Sequence, residues 1–193
     1  METNNQRKTP TVLVPYDFGP KAKTALQEAI KVADFIKGQI YLLSVLQASN
    51  FFTELFKSEK QQREERRHVE NKLKEVILET RKTYHGNIRY IVEHGSPAEV
   101  ILEQAQIRNA QYIIMGKMSS TVSAFHFIGP LTMHIIASAP CPVITVSENS
   151  IENGRFDNIL LPIDLSKQTL EKINAAISWA KYYKSTVHLV GVV

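Results

Sequence analysis

A lone carboxylate stands where a short β-rich run gives way to a helix. Asp17 follows TVLVPY, residues 11–16, and precedes Gly19 and Pro20. Such a carboxylate can accept protons from a ligand's hydroxyl or amine groups, or it can turn and cap the chain into the helix. The residues leave both roles open. A second polar cluster follows the apolar run ending at Met115: Gly116, Lys117, Ser119, Ser120, Thr121 and Ser123 supply hydroxyls and one ammonium. Loop hydroxyls of this kind are more often simply solvated. His126 and His134 lie eight apart, a poor metal spacing, while His68, His85, His94 and His188 are scattered without cysteines or paired acids. Cys141 sits between Pro140 and Pro142 at a strand entrance, where a buried, inert thiol is expected rather than a nucleophile. Gly-x-Gly-x-x-Gly, Gly-x-x-x-x-Gly-Lys-Ser/Thr, Gly-x-Ser-x-Gly and His-Glu-x-x-His are all missing. No catalytic residue and no metal site is predicted, and enzymatic turnover is not expected.

The elements that position these residues follow from periodicity. Pro20 opens a stretch in which Ala22, Ala25, Leu26, Ala29, Ile30, Ala33 and Ile36 recur at helical spacing, and Gly38 ends it as a C-terminal glycine. Residues 40–46 form a continuous apolar run, as a strand covered on both faces requires. A helix is predicted over 59–83, with Val69, Leu73, Val76, Ile77 and Thr80 inward and the pairs Glu59/Arg63 and Glu70/Lys74 outside. Strands at 88–92, 111–115 and 142–146 alternate with helices at 97–108 and 130–138. Strand and helix in alternation imply parallel βαβ units, so residues 11–147 are predicted to form one doubly wound, five-stranded α/β domain.

The 193 residues exceed one domain of ~150 by about 40. That remainder is an internal repeat, because residues 158–193 align without gaps on 11–46 at a constant offset of 147. Pro15/Pro162, Asp17/Asp164, Ala29/Ala176, Ala33/Ala180 and Leu42/Leu189 are identical pairs. Two unrelated βαβ units would share apolar pattern but not the Pro-x-Asp. A unit of this size cannot bury a core by itself, so the expected layout is a disordered segment 1–10, a domain at 11–147, a linker at 148–157 and a partial second β-α-β domain at 158–193, truncated within a tandem. The face of Ile173, Ile177 and Ala180 is expected to be buried.

Net charge is +4, but the densest charged stretch, 59–82, alternates in sign, which is a solvated helix face and not a nucleic-acid patch. One cysteine allows no intrachain disulfide, and neither a signal peptide nor a run of ~18 apolar residues is present. The expectation is a cytoplasmic protein without nucleic-acid or membrane partners.

The stretches LVPYDF (13–18), GSPAEV (95–100), YIIMG (112–116) and APCPVITV (139–146) together resemble the universal stress proteins. That resemblance implies the adenine-nucleotide alpha hydrolase-like, Rossmann-like sheet of order 3-2-1-4-5, homodimerisation through the fifth strand (Pro142, Val143, Ile144, Thr145 and Val146), and, in one branch, ATP with Mg bound between strands 1 and 4. In a doubly wound sheet, ligands sit beyond the strand C-termini where the order reverses. The implied crevice takes in Pro15, Tyr16, Asp17, Val45, Met115, Gly116, Lys117, Ser119, Gly129, Pro130 and Leu131. Asp17 would accept from ribose or adenine, and Val45 would pack on the base.

The phosphate grip departs from the resemblance. ATP-binding members resemble Gly, two residues, Gly, nine residues, Gly, then Ser or Thr. This chain has Gly116, then Ser119, then Gly129 and Pro130. Pro130 suits a first helical position but offers neither N–H nor hydroxyl to an anion. Two functional classes follow. One is a non-catalytic stress-response interaction and dimerisation module with a degenerate nucleotide site, which fits the altered loop better; the other is an ATP- or AMP-binding regulatory module.

Overall fold

The computed structural model describes residues 9–47, 58–117, 128–147, 156–164 and 169–191. The chain divides into two units, Met1–Glu148 and Asn149–Val193. In the first, β1 (Thr11–Pro15), α1 (Pro20–Ile36), β2 (Gln39–Leu46), α2 (Glu59–Thr80), β3 (Ile88–His94), α3 (Pro97–Ile107), β4 (Ala110–Gly116), α4 (Pro130–Ser138) and β5 (Val143–Val146) follow one another. All strand pairs are parallel, and the sheet order is β3-β2-β1-β4-β5. None of the described helices is long and apolar enough to cross a membrane.

Alternation along β1 divides the core between the two faces of the sheet. Leu13 points with Leu43, Ile91, Ile113 and Met115 into a cluster closed by Ile101 and Ala105 of α3 and Ile135 of α4. Val12 and Val14, fully buried, belong to the opposite face, where α1 contributes Ala22, Ala25, Ala29 and Val32 and α2 contributes Leu73 and Ile77. Each such leucine or isoleucine contributes about 1.5–3 kcal/mol by burial. Where β1 meets β4 the register shifts between Thr11 and Val12, and the Gln111 side chain accepts the Thr11 N–H at 2.6 Å in place of a ladder bond.

Several local expectations change. The left-handed residue ending α1 is Lys37 (φ 53°), and Gly38 is required instead for space, since a Cβ there would lie 2.7 Å from the Pro10 carbonyl oxygen. Helix α2 ends at Thr80 and begins with a capping box, in which Ser58 accepts from the Gln61 N–H and Gln61 from the Ser58 N–H. Glu59 pairs with Arg63 as expected, but Glu70 pairs with Arg66 and not with Lys74. Strand β5 starts at Val143; Pro142 lies outside it, its carbonyl accepting the Ile113 N–H at 3.1 Å. Pro10, placed in the disordered segment by sequence, accepts the Gln39 N–H at 2.8 Å.

The second unit holds β6 (Asn158–Ile163), α5 (Thr169–Tyr183) and β7 (Thr186–Gly191), with β6 and β7 parallel. Its register repeats that of the first unit pair for pair: Thr11↔Gln39 has its counterpart in Asn158↔Thr186, and Pro15↔Leu43 in Pro162↔Val190. The Asp157 carbonyl accepts from Thr186 as Pro10 accepts from Gln39. Burial on α5 centres on Ala176, whereas Ile177 is 45% exposed, so the inward stripe is narrower than expected.

Candidate functional site

The backbone leaves β1 through a sharp turn. The Tyr16 N–H continues the ladder to the Leu43 carbonyl at 2.8 Å, Phe18 then adopts a left-handed φ of 69°, and Gly19 is the N-cap of α1. Asp17 stabilises this turn, its Oδ1 accepting the Gly19 N–H at 2.9 Å. Its Oδ2 makes no hydrogen bond among the described residues. The turn-forming role left open by sequence falls to Oδ1. Tyr16 lies buried beneath, edge-on to Phe18 with ring centroids 5.4 Å apart. Burial pushes its phenol up, and the neighbouring Asp17 carboxylate adds to that shift.

A crevice of about 340 Å³ opens here at the C-terminal ends of β1, β2 and β4, where the strand order reverses. Pro15, Tyr16, Asp17, Val45, Met115, Gly116 and Leu131 all line it. Lys117, Gly129 and Pro130 do not line it. The Lys117 N–H binds the Val146 carbonyl at 2.6 Å, and Gly129 and Pro130 form the N-cap and first turn of α4. Ser119 and the hydroxyls of Ser120, Thr121 and Ser123 lie outside the described residues.

Three helices present their first turns to the crevice, through Lys21 and Ala22 of α1, Pro97 of α3 and Leu131 of α4. All three have proline at the first position and an N-cap, Gly19, Ser96 or Gly129, that makes no side-chain capping bond. The capped helix, α2, contributes nothing to the lining. First-turn N–H groups without an N-cap acceptor, backed by the positive end of the helix dipole, favour an anion. Lys21 places a cation in the first turn of α1, where the dipole disfavours one. Sequence reasoning missed it, together with Ser44, Gln47, Pro97 and Ile101, although a basic residue directly after a helix-opening proline was the available signal.

Gly116 is needed for packing. A Cβ there would stand 2.5 Å from the Lys21 Cβ and 2.7 Å from its carbonyl oxygen, so glycine lets α1 close on the end of β4. Beside α4's first turn, the fully buried Thr132 hydroxyl has no hydrogen-bond partner among the described residues. Among those residues no group of three or more His, Cys, Asp or Glu could hold a metal. Cys141 is half-buried, and burial pushes its thiol up, in keeping with an unreactive cysteine.

The universal stress protein family model matches residues 8–147. Universal stress protein MJ0531 of Methanocaldococcus jannaschii is 24% identical over 156 residues, covering 75% of this chain and 86% of that protein. A universal stress protein from Archaeoglobus fulgidus superposes with a TM-score of 0.72 at 17% identity, over 95% of this chain and 67% of its own. A universal stress protein solved in complex with cAMP matches at a TM-score of 0.53 and 14% identity, over 73% of this chain and 98% of its own. The family match spans the whole five-stranded sheet and the crevice at its switch point, and this chain belongs to the universal stress protein family.

Proposed function

We propose that the chain is a non-catalytic stress-response module whose first unit binds an adenine nucleotide with a short phosphate, of the AMP or cyclic AMP class, in the crevice between β1 and β4. The supporting observation is the convergence of three uncapped helix N-termini on a crevice that also holds the second oxygen of Asp17. Asp17 accepts from the ribose hydroxyls, Val45 packs on the base, and the phosphate faces the first turns of α1 and α3. At position 130, proline withholds an N–H and a hydroxyl from a longer phosphate chain, which disfavours Mg-ATP. The cAMP complex of a relative with the same fold supports this ligand class.

The test is calorimetric titration of AMP, cAMP and Mg-ATP into nucleotide-free protein. Micromolar binding of a monophosphate, weakened about tenfold or more (~1.4 kcal/mol) by Asp17→Ala, is expected. No heat with any of the three, in folded protein, would refute the reading.

A second reading rests on a different observation. Strand β5 is the outer strand of the sheet, and its Val143, Ile144 and Thr145 remain half-buried, an edge suited to pairing with a second copy. In that reading the protein is a homodimeric scaffold. A concentration-independent monomer in sedimentation would eliminate it. For the second unit, we propose that residues 158–191 are the opening β-α-β of a further domain of the same kind, on the strength of the shared register.

A further inference from the structure

On the opposite side of the sheet from β5, a groove of about 480 Å³ runs between α2 and the edge strand β3. Ile77 and Ile88, both buried, form its floor, and Leu78, 63% exposed, forms an apolar lip. Tyr90 and the three cations Lys74, Arg81 and Arg89 complete the lining, with no acid among its residues. None of the three forms an ion pair among the described residues. Of the α2 acids around it, Glu70 pairs with Arg66 and Glu79 with Lys82, while Glu75 stands one turn before Leu78 outside the lining. Arg89 makes only long contacts, 3.4 Å each, to the Tyr41 hydroxyl and the Asn87 side chain.

The edge strand adds neutral donors and acceptors. The Asn87 carbonyl and the Gly95 N–H both bond to β2, so in parallel pairing the odd positions of β3 face inward and both the N–H and C=O groups of Ile88 and Tyr90 face the open edge. An apolar floor and lip together with three cations that form no ion pair among the described residues are complementary to an amphipathic anion. We propose that this groove binds a small amphipathic anion, an acyl chain of medium length ending in a carboxylate. The chain lies along Ile77, Leu78 and Ile88, and the carboxylate is held among Lys74, Arg81 and Arg89. The site is separate from the nucleotide crevice and independent of it.

Decanoate, decanol and acetate, titrated into the full chain by calorimetry below the critical micelle concentration, distinguish the contributions. Decanoate is expected to bind, more weakly at high salt, with decanol and acetate each binding at least about tenfold more weakly. Arg81→Ala and Arg89→Ala should each lower the decanoate affinity about two- to fivefold, and the triple alanine variant including Lys74 at least about tenfold. Leu78→Glu, at an exposed position that leaves the fold intact, should abolish it. Asp17→Ala should leave it unchanged. Equal binding of decanoate by the wild type and by Leu78→Glu, or equal binding of acetate and decanoate, overturns the proposal.

Discussion

Lys37 and Lys184 stand 147 positions apart and adopt the same left-handed backbone, with φ of 53° and 59°, each at the C-terminal end of a helix between two parallel strands. In both, the residue that follows donates its N–H back into the helix, Gly38 to Ala33 and Ser185 to Ala180. The sequence match at offset 147 thus extends to a backbone conformation that lysine adopts at a cost of about 1–2 kcal/mol. Lys37→Gly relieves that cost and loses part of it to unfolded-chain entropy, so a net stabilisation of about 0.5–1 kcal/mol is expected in urea unfolding. The same change at Lys184 should raise the midpoint followed by Trp179 emission. Trp179, the only tryptophan, stacks on Tyr183 at 5.8 Å within the second unit and reports on it directly. A destabilised Lys37→Gly would mean that the lysine stem packs usefully there.

The Asp17 and Asp164 pair separates what repeats from what does not. Asp164 is engaged by the Thr169 hydroxyl at 2.9 Å and by the Lys172 ammonium at 3.5 Å, whereas the matching positions in the first unit are Ala22 and Ala25. Those alanines leave Asp17 Oδ2 to the crevice. Thr169→Ala should accordingly lower the stability of the second unit by about 1 kcal/mol, the ordinary worth of such a hydrogen bond, read by Trp179 emission in urea. Asp17→Ala should cost the first unit a similar amount through the lost Gly19 contact. Reversed effects would mean that the two aspartates have exchanged roles.

The order and type of strands and helices were legible in the sequence because apolar residues recur with periods that only one backbone can bury; α4 was bounded correctly from Pro130 to Ser138, whereas β3 runs two residues past its predicted end to His94. The crevice was legible in its walls, Asp17, Val45 and Met115, since strand ends at a switch point follow from topology. What was illegible depends on packing between distant segments. Gly116 looked like a phosphate-loop glycine, and its close contact with Lys21 could not be read from the sequence. The cations Lys74 and Arg81 fell in the mixed-charge stretch 59–82, and only the return of β3, carrying Arg89, alongside α2 sets the three around Leu78.

Alkaline conditions should destabilise the first unit. Burial raises the phenols of Tyr16 and Tyr84, helped by Asp17 and Asp34 respectively, and burial also raises the Cys141 thiol, partly offset by a hydrogen bond from the Ile113 backbone. Each holds its proton more tightly folded than unfolded. The stability they confer is therefore complete below the unfolded values, about 8.5 for the thiol and 10 for the phenols, and is lost as pH rises through the folded ones. Urea midpoints should hold flat between about pH 7 and 8 and fall toward pH 11. Tyr16→Phe should make that fall shallower, and an unchanged slope would assign it to other groups.

Gly116→Ala tests the closure of α1 on β4. The added methyl meets backbone atoms of Lys21 at 2.7 and 2.8 Å, and these cannot yield as a flexible side chain would. A loss of about 1–3 kcal/mol is expected from overpacking of this kind. Because Lys21 and Gly116 both line the crevice, the variant should also bind nucleotide more weakly at temperatures where it remains folded. Affinity lost without any change in stability would give Gly116 a direct contact with the ligand.

Pro130→Ser isolates the departure at the start of α4. Proline at the first position of α4 fixes φ near the helical value and gives up an N–H that the helix leaves unpaired in any case. Replacing it should cost about 0.4–1 kcal/mol through unfolded-chain entropy. In return the helix gains one N–H and one hydroxyl next to the first turn that Leu131 presents to the crevice. Hydrogen bonds to a charged group contribute about 1.5–3 kcal/mol each when well formed. Triphosphate affinity should therefore rise by about tenfold or more, while AMP, if its phosphate faces α1 and α3 as proposed, should change little. The ratio of the two affinities is the measurement, and it does not depend on the stability lost. If AMP and Mg-ATP gain equally, position 130 touches the first phosphate, and the monophosphate preference has another origin; if neither gains, the phosphate lies away from α4.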